Sequence, residues 1–181
     1  ILLQNHDLPL RLAWVYNNTI FAAGTGIRFG SAAPQGDAVV GNLVFAATPI
    51  AGSIADQRDN LTDAVAAAAT YVNDPTTTLG AMDFYPLSGA CRGPPLDLTV
   101  VYADLDYDRD LNGRSKGGFE VRGAYAGEGT NPGWALGGDL KPEVGGADAD
   151  ADADAGAEAD ADGDGGADTG ADAAAESDAG T

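Results

Sequence analysis

Val15–Phe29 reads VYNNTIFAAGTGIRF, and Val39–Gly52 answers it with VVGNLVFAATPIAG. Superposing NNTIFAA (Asn17–Ala23) on GNLVFAA (Gly41–Ala47) sets Asn18 over Asn42, Ile20 over Val44 and Phe21 over Phe45, 24 residues apart. That offset falls within the roughly 20–45-residue repeat of solenoid proteins. Each copy is a short β-branched and aromatic run bounded by Asn and Gly, as strands are. The spacing therefore predicts two stacked coils of a right-handed parallel β-helix. Two unrelated strands of an ordinary β-sandwich are the competing reading, because a solenoid needs about three repeats.

Stacking gives the asparagines a reason to recur. At equivalent corners Asn18 and Asn42 can bond to each other between coils and form a ladder. The small residues after each strand, Ala22–Gly24 and Ala46–Ala47, allow tight turning and close approach of neighbouring coils. Asp59–Thr62 (DNLT) offers a third, shorter coil, with Asn60 in the place of Asn18 and Asn42.

Outward from this pair, Gly30–Asp37 (GSAAPQGD) is a turn-rich loop. The Ala run of Asp63–Val72 predicts one short helix with Thr62 or Asp63 as N-cap, ended before Pro75. Strands are predicted within Leu79–Ala90, Leu96–Leu105 and Phe119–Tyr125, with a Gly- and Asp-rich loop at Asp106–Gly118. Gly127–Pro142 brings Trp134 against the open end of the coils or offers it as a sugar platform. Two sequons, Asn17-Asn18-Thr19 and Asn60-Leu61-Thr62, are expected to be unused.

Composition divides the chain. The net charge is −19, and the stretch from Gly146 onward holds 12 acids and no base, leaving 16 acids against nine bases elsewhere. That last stretch lacks aromatic and large aliphatic side chains, so nothing offsets the entropy of ordering it. Residues 1–142 are therefore expected to fold as coils and cap, and 143–181 to form a disordered acidic tail, a solvated spacer. No basic patch suggests nucleic acid, and no apolar run approaches the ~20 residues of a membrane span. One cysteine, Cys91, excludes an internal disulfide or a cysteine-based zinc cluster; it is expected in the core, and the lone His6 on the surface. The chain begins at Ile1 with nothing to plug its first coil, which suggests the C-terminal part of a longer protein.

Three later segments carry a resemblance: DFYPLSGACRG (Asp83–Gly93), DYDRDLNGRSKGG (Asp106–Gly118) and VRGAYAGEG (Val121–Gly129). Together they resemble the closing elements of bacterial right-handed parallel β-helix repeat proteins. Pro86 and Gly89 fall in the first element, where Ala90-Cys91 replaces Ser-Pro. Asp110, Asn112, Gly113 and Arg114 match the second, and Arg122-Gly123-Ala124-Tyr125 the third, with Ala126 where the family often has Glu. With the Asn-bearing coils the resemblance covers Leu10 to Pro142. The Asp/Ala/Gly tail looks like the spacers of myxobacterial surface proteins. The family includes polysaccharide lyases, hydrolases and many surface proteins, so the resemblance speaks to fold more than to function. It implies an extracellular or bacterial cell-surface setting and a carbohydrate-related or adhesive role, with a polysaccharide or cell-surface glycan as partner.

The local chemistry has one metal candidate. In Asp104-x-Asp106-x-Asp108-x-Asp110-x-Asn112-Gly113, carboxylates on alternate residues can converge on a hard cation. Asp108–Gly113 matches the first half of a Ca²⁺ loop, but the twelfth position is Phe119 and Glu120 comes one residue late. Asp106, Asp108, Asp110 and Asn112 are thus expected as Ca²⁺ ligands, against a solvated turn whose Asp side chains cap their own backbone. Trp134 is the expected glycan contact. For lyase chemistry the basic residues are Arg28, Arg58, Arg92, Arg114 and Lys116, none in a recognisable signature; a hydrolase needs two facing carboxylates, and none can be paired from sequence. The preferred function is a non-catalytic C-terminal portion of a surface protein. The alternative is part of a lyase or glycosidase whose catalytic coils lie upstream.

Overall fold

The computed structural model describes residues 1–33, 35–138 and 141; the expected tail, 143–181, lies outside them. The described chain is all-β, with most strands in parallel sheets. The strands are β1 (Leu2–Leu3), β2 (Ala13–Tyr16), β3 (Thr19–Phe29), β4 (Asp37–Val40), β5 (Leu43–Ala51), β6 (Asp56–Arg58), β7 (Leu61–Asp63), β8 (Val72–Asp74) and β9 (Asp83–Pro86). One parallel sheet runs β1-β3-β5-β7, a second runs β2-β4-β6, and β8 and β9 form an antiparallel pair.

Parallel neighbours normally require a long crossover. Here each crossover passes through a strand of the other sheet. β2 turns into β3 at Asn17-Asn18, β4 into β5 at Gly41-Asn42, and β6 into β7 at Asp59-Asn60. The first corner residue is left-handed at all three levels, with φ of 53°, 68° and 56°. Asn, Gly and Asp are the residues that tolerate this conformation. The second corner residue is always Asn.

Those asparagines form the expected ladder. Asn18 donates through its backbone N–H (3.0 Å) and Nδ2 (3.1 Å) to Asn42 Oδ1. Asn42 repeats both bonds to Asn60 Oδ1 at 3.0 and 2.9 Å. Each lower side chain also reaches a carbonyl one level up, Asn42 Nδ2 to Val15 O at 2.8 Å and Asn60 Nδ2 to Val39 O at 2.7 Å. The 24-residue offset is the actual register: Thr19 pairs with Leu43, Ile20 with Val44 and Phe21 with Phe45. It slips between Ala22 and Thr25, where β3 spends an extra residue, so Ile27 meets Ile50.

Between the sheets lies the first core, where Val15, Ile27, Phe29, Val39, Val44 and Ala46 are buried. Leu43 and Phe45 face the other way, onto Ala68, Val72, Cys91 and Val121. A third cluster joins Ala38 and Val40 to Leu96, Leu98 and Val101. Later segments thus cover the outer faces of the stack. Cys91 is free and buried, as expected, and His6 is exposed beside Asp7.

Three local expectations differ from the structure. The Ala run forms one short 3₁₀ helix, Val65–Thr70, whose N-cap is Ala64, without a side-chain cap bond. Asp63 instead accepts the Ala64 N–H at 2.7 Å and the Tyr71 hydroxyl at 3.0 Å. Leu96–Leu105 keeps its alternation, with Leu96 and Leu98 buried, but has no paired strand. Asp97 accepts the Thr99 N–H at 3.0 Å and turns the chain into a 3₁₀ segment, Thr99–Val101. Phe119–Tyr125 is interrupted by positive φ at Phe119 (54°) and Gly123 (89°), leaving a single bridge from Val121 to Arg92.

Candidate functional site

Along β2 the burial alternates: Ala13 and Val15 point into the core, and Trp14 and Tyr16 stand on the opposite, half-buried face. The corner Asn17-Asn18 continues that surface. Opposite it, Leu111 donates its N–H to Ala124 O at 2.7 Å, and Ala124 donates to Thr19 Oγ1 at 3.0 Å. The Arg109–Leu111 segment is thereby held beside the first corner, and a cleft of about 420 Å³ opens between them. Trp14, Tyr16, Asn17 and Asn18 form one wall, with Arg109, Asp110, Leu111 and Ala124 forming the other.

The walls have distinct chemistry. Trp14 and Tyr16 supply aromatic surface, while two amides and a guanidinium supply hydrogen-bonding groups. The Tyr16 hydroxyl donates to the Asp104 carboxylate. Burial first, and then this bond, push its pKa well above the usual tyrosine value, so it stays protonated. Asn17 Nδ2 donates to Tyr107 O at 3.4 Å, and Asn17 Oδ1 is the one buried side-chain oxygen without a partner among the described residues. As Asn17 lines the cleft, that oxygen is an acceptor open to a ligand or to water.

The structure does not bring the predicted calcium ligands to one point. Asp110 is buried and fully engaged with backbone: Oδ1 accepts the N–H groups of Asn112 and Arg114, each at 2.8 Å, and Oδ2 accepts Ala126 N–H at 2.9 Å. Asp108 lies 3.8 Å from Arg109 through Oδ1, and Asp106 is exposed. Among the described residues no three acidic, His or Cys side chains gather around a common point. Asn112 and Trp134, however, are joined. Asn112 Oδ1 accepts the Trp134 N–H at 3.2 Å, and its Nδ2 donates to Asn131 at 3.2 Å. Trp134 is half-buried on this loop and is not among the residues that line the cleft.

The basic residues considered for lyase chemistry are largely committed to protein partners. Arg92 pairs with Glu120 (2.7 Å) and Glu128 (2.8 Å), and Arg58 with Asp56 (3.0 Å). Lys116 is buried, and its Nζ donates to Gly123 O at 2.8 Å and Tyr125 O at 2.9 Å. Trp14, the residue that gives the cleft its aromatic floor, stands out in the sequence only through the phase of β2.

Lys116 gives a test of this packing. Burial lowers its pKa from 10.5 to about 8. Between those values the unfolded chain holds a proton that the folded chain has released, so its contribution to stability rises with pH. Cys91 and Tyr125 act oppositely. Burial raises both to about 12, from 9.0 and 10.0, so the stability they contribute is lost as pH climbs past 9. Comparison with Lys116→Met isolates the lysine. From pH 7.5 to 10, the parent is expected to gain on the order of 1–3 kcal/mol relative to the variant. Parallel pH profiles in urea denaturation would refute the lowered pKa of the buried Lys116.

Comparison with family models, with curated proteins and with solved structures returns no match. No helix among the described residues is long and apolar enough to cross a membrane.

Proposed function

We propose that the three superposed strand–Asn–strand levels are coils of a right-handed parallel β-helix, and that the cleft beside the first corner binds a saccharide. The observation that carries the ligand class is the pairing of Trp14 and Tyr16 with Asn17, Asn18 and Arg109 around one opening. Aromatic faces pack against the apolar C–H faces of a sugar ring, and amide and guanidinium groups bond its hydroxyls. A non-catalytic role is favoured because, among the described residues, the only carboxylate lining the cleft, Asp110, has both oxygens engaged by backbone N–H groups. A glycosidase needs two carboxylates free to face the bond. An adhesive or carbohydrate-related role at a cell surface follows from this reading together with the sequence resemblance.

Calorimetric titration with a panel of neutral and uronic-acid oligosaccharides, disaccharide to hexasaccharide, tests the ligand class. At least one member is expected to bind, and Trp14→Ala to weaken it by about tenfold or more. Absence of binding across the panel, or equal binding by Trp14→Ala, would overturn it.

A further inference from the structure

Beyond the cleft, the loop Tyr102–Tyr107 projects an apolar surface that the fold does not bury. Tyr102 is 70% exposed and Leu105 94% exposed. Tyr102 is held. Its ring lies 5.3 Å from that of Tyr107, which stacks on Phe119 at 6.0 Å with an interplanar angle of 23°. The backbone is folded into turns, with Asp104 N–H to Val101 O at 2.9 Å and Arg109 N–H to Asp106 O at 3.0 Å.

The same loop is tied to the cleft at two points. Asp104, between Tyr102 and Leu105, accepts the hydroxyl of Tyr16. Tyr107 offers its carbonyl to Asn17 Nδ2 at 3.4 Å. Tyr16 and Asn17 both line the cleft. An exposed, braced aromatic ring thus stands on a loop bonded to two of the residues that line the cleft, one of them aromatic. A ligand filling only the cleft leaves this ring unused; a chain of linked sugars extending along that loop would reach it. Rigid aromatics serve this purpose at little entropic cost, because few torsions must be frozen.

We propose that Tyr102, braced by Tyr107, is an outer subsite that stacks a second sugar ring, so that the ligand is an extended saccharide chain rather than a terminal monosaccharide. This rests on the saccharide reading of the cleft and deepens it. The aspartates on the same loop, Asp104 and Asp106, make a neutral sugar the better fit at this outer position than a uronate.

The test uses the full chain, calorimetry and the same oligosaccharide panel. In the parent, affinity is expected to rise from disaccharide to hexasaccharide. Tyr102→Ala should remove most of that rise, weakening the hexasaccharide about three- to tenfold while leaving the disaccharide unchanged. Tyr102→Phe keeps the ring and should restore the parent's profile. Unchanged thermal unfolding of both variants checks that the loop is intact. Equal length dependence in Tyr102→Ala and the parent would overturn the subsite while the cleft reading stands. Weakening of all lengths equally would also overturn it, since Tyr102 would then act through the cleft. A panel with no binder would overturn both readings together.

Discussion

Replacing Asn42 by Ala is expected to destabilise the folded chain by about 3–5 kcal/mol, as much as truncating a large core side chain. The side chain is fully buried and occupied on both sides. Its Oδ1 receives the backbone N–H and the amide of Asn18, and its Nδ2 donates to Val15 O, Val40 O and Asn60 Oδ1. Truncation leaves the Asn18 N–H and the Val15 carbonyl without their partners inside the stack. An unpaired buried group costs about 1–3 kcal/mol, and the two losses fall in one connected network. Asn42→Asp keeps the acceptor but removes both donors and buries a charge, so it should be no better. Asn18, half-buried at the first level, serves as the control: its truncation should cost about 1 kcal/mol. Guanidinium denaturation of the three variants decides the point. If Asn42→Ala and Asn18→Ala shift the midpoint equally, the ladder is not a cooperative network.

This ladder was the most legible part of the sequence, for a physical reason. A corner that must be left-handed and then offer an amide to its neighbours restricts both residues, and those restrictions recur as Asn-Asn, Gly-Asn and Asp-Asn. The 24-residue offset of the first two copies is the observed register, and DNLT does form a third level, shortened to 18 residues between Asn42 and Asn60. The segments after Val72 were harder to read. Leu96 and Leu98 alternate as a strand would, yet their burial comes from lying across Ala38 and Val40 rather than from pairing. Hydrophobic period reports burial and not the partner that supplies it. Asp110 shows the same limit in polar residues. Its place in a run of alternating acids suggested a cation, whereas a carboxylate can equally be satisfied by three backbone N–H groups. The cleft was invisible because its walls are 91 or more residues apart in sequence, from Trp14–Asn18 to Arg109–Ala124.

Arg122→Met is the second change expected to cost about 3–5 kcal/mol. Arg122 is only 4% exposed, and its guanidinium donates to four backbone carbonyls: Pro94 at 2.7 Å, Glu120 at 2.9 Å, Asp59 at 3.0 Å and Phe119 at 3.4 Å. Asp59 is the left-handed corner of the third level, so this one side chain fastens the later segments onto the parallel sheets. The next residue completes the contact. Gly123 donates its N–H to Gly41 O at 2.9 Å, and a Cβ at Gly123 would lie 2.5 Å from Thr19 Oγ1 and 2.9 Å from Leu43 Cβ. Burial lowers the Arg122 pKa, but a guanidinium keeps its charge, so its donors must be matched. Met fills much of the stem's volume and strands the carbonyls. Lys carries a compact charge with three donors and cannot reproduce the planar fork, so Arg122→Lys should recover less than half of the loss. Hydrogen exchange supplies the spatial signature. In Arg122→Met, protection should fall first at Leu61–Asp63 and Gly93–Leu96, while Val39–Phe45 stays protected until global unfolding. Uniform loss of protection, or a cost below about 1 kcal/mol, would mean that the later segments hold to the parallel sheets by apolar burial alone.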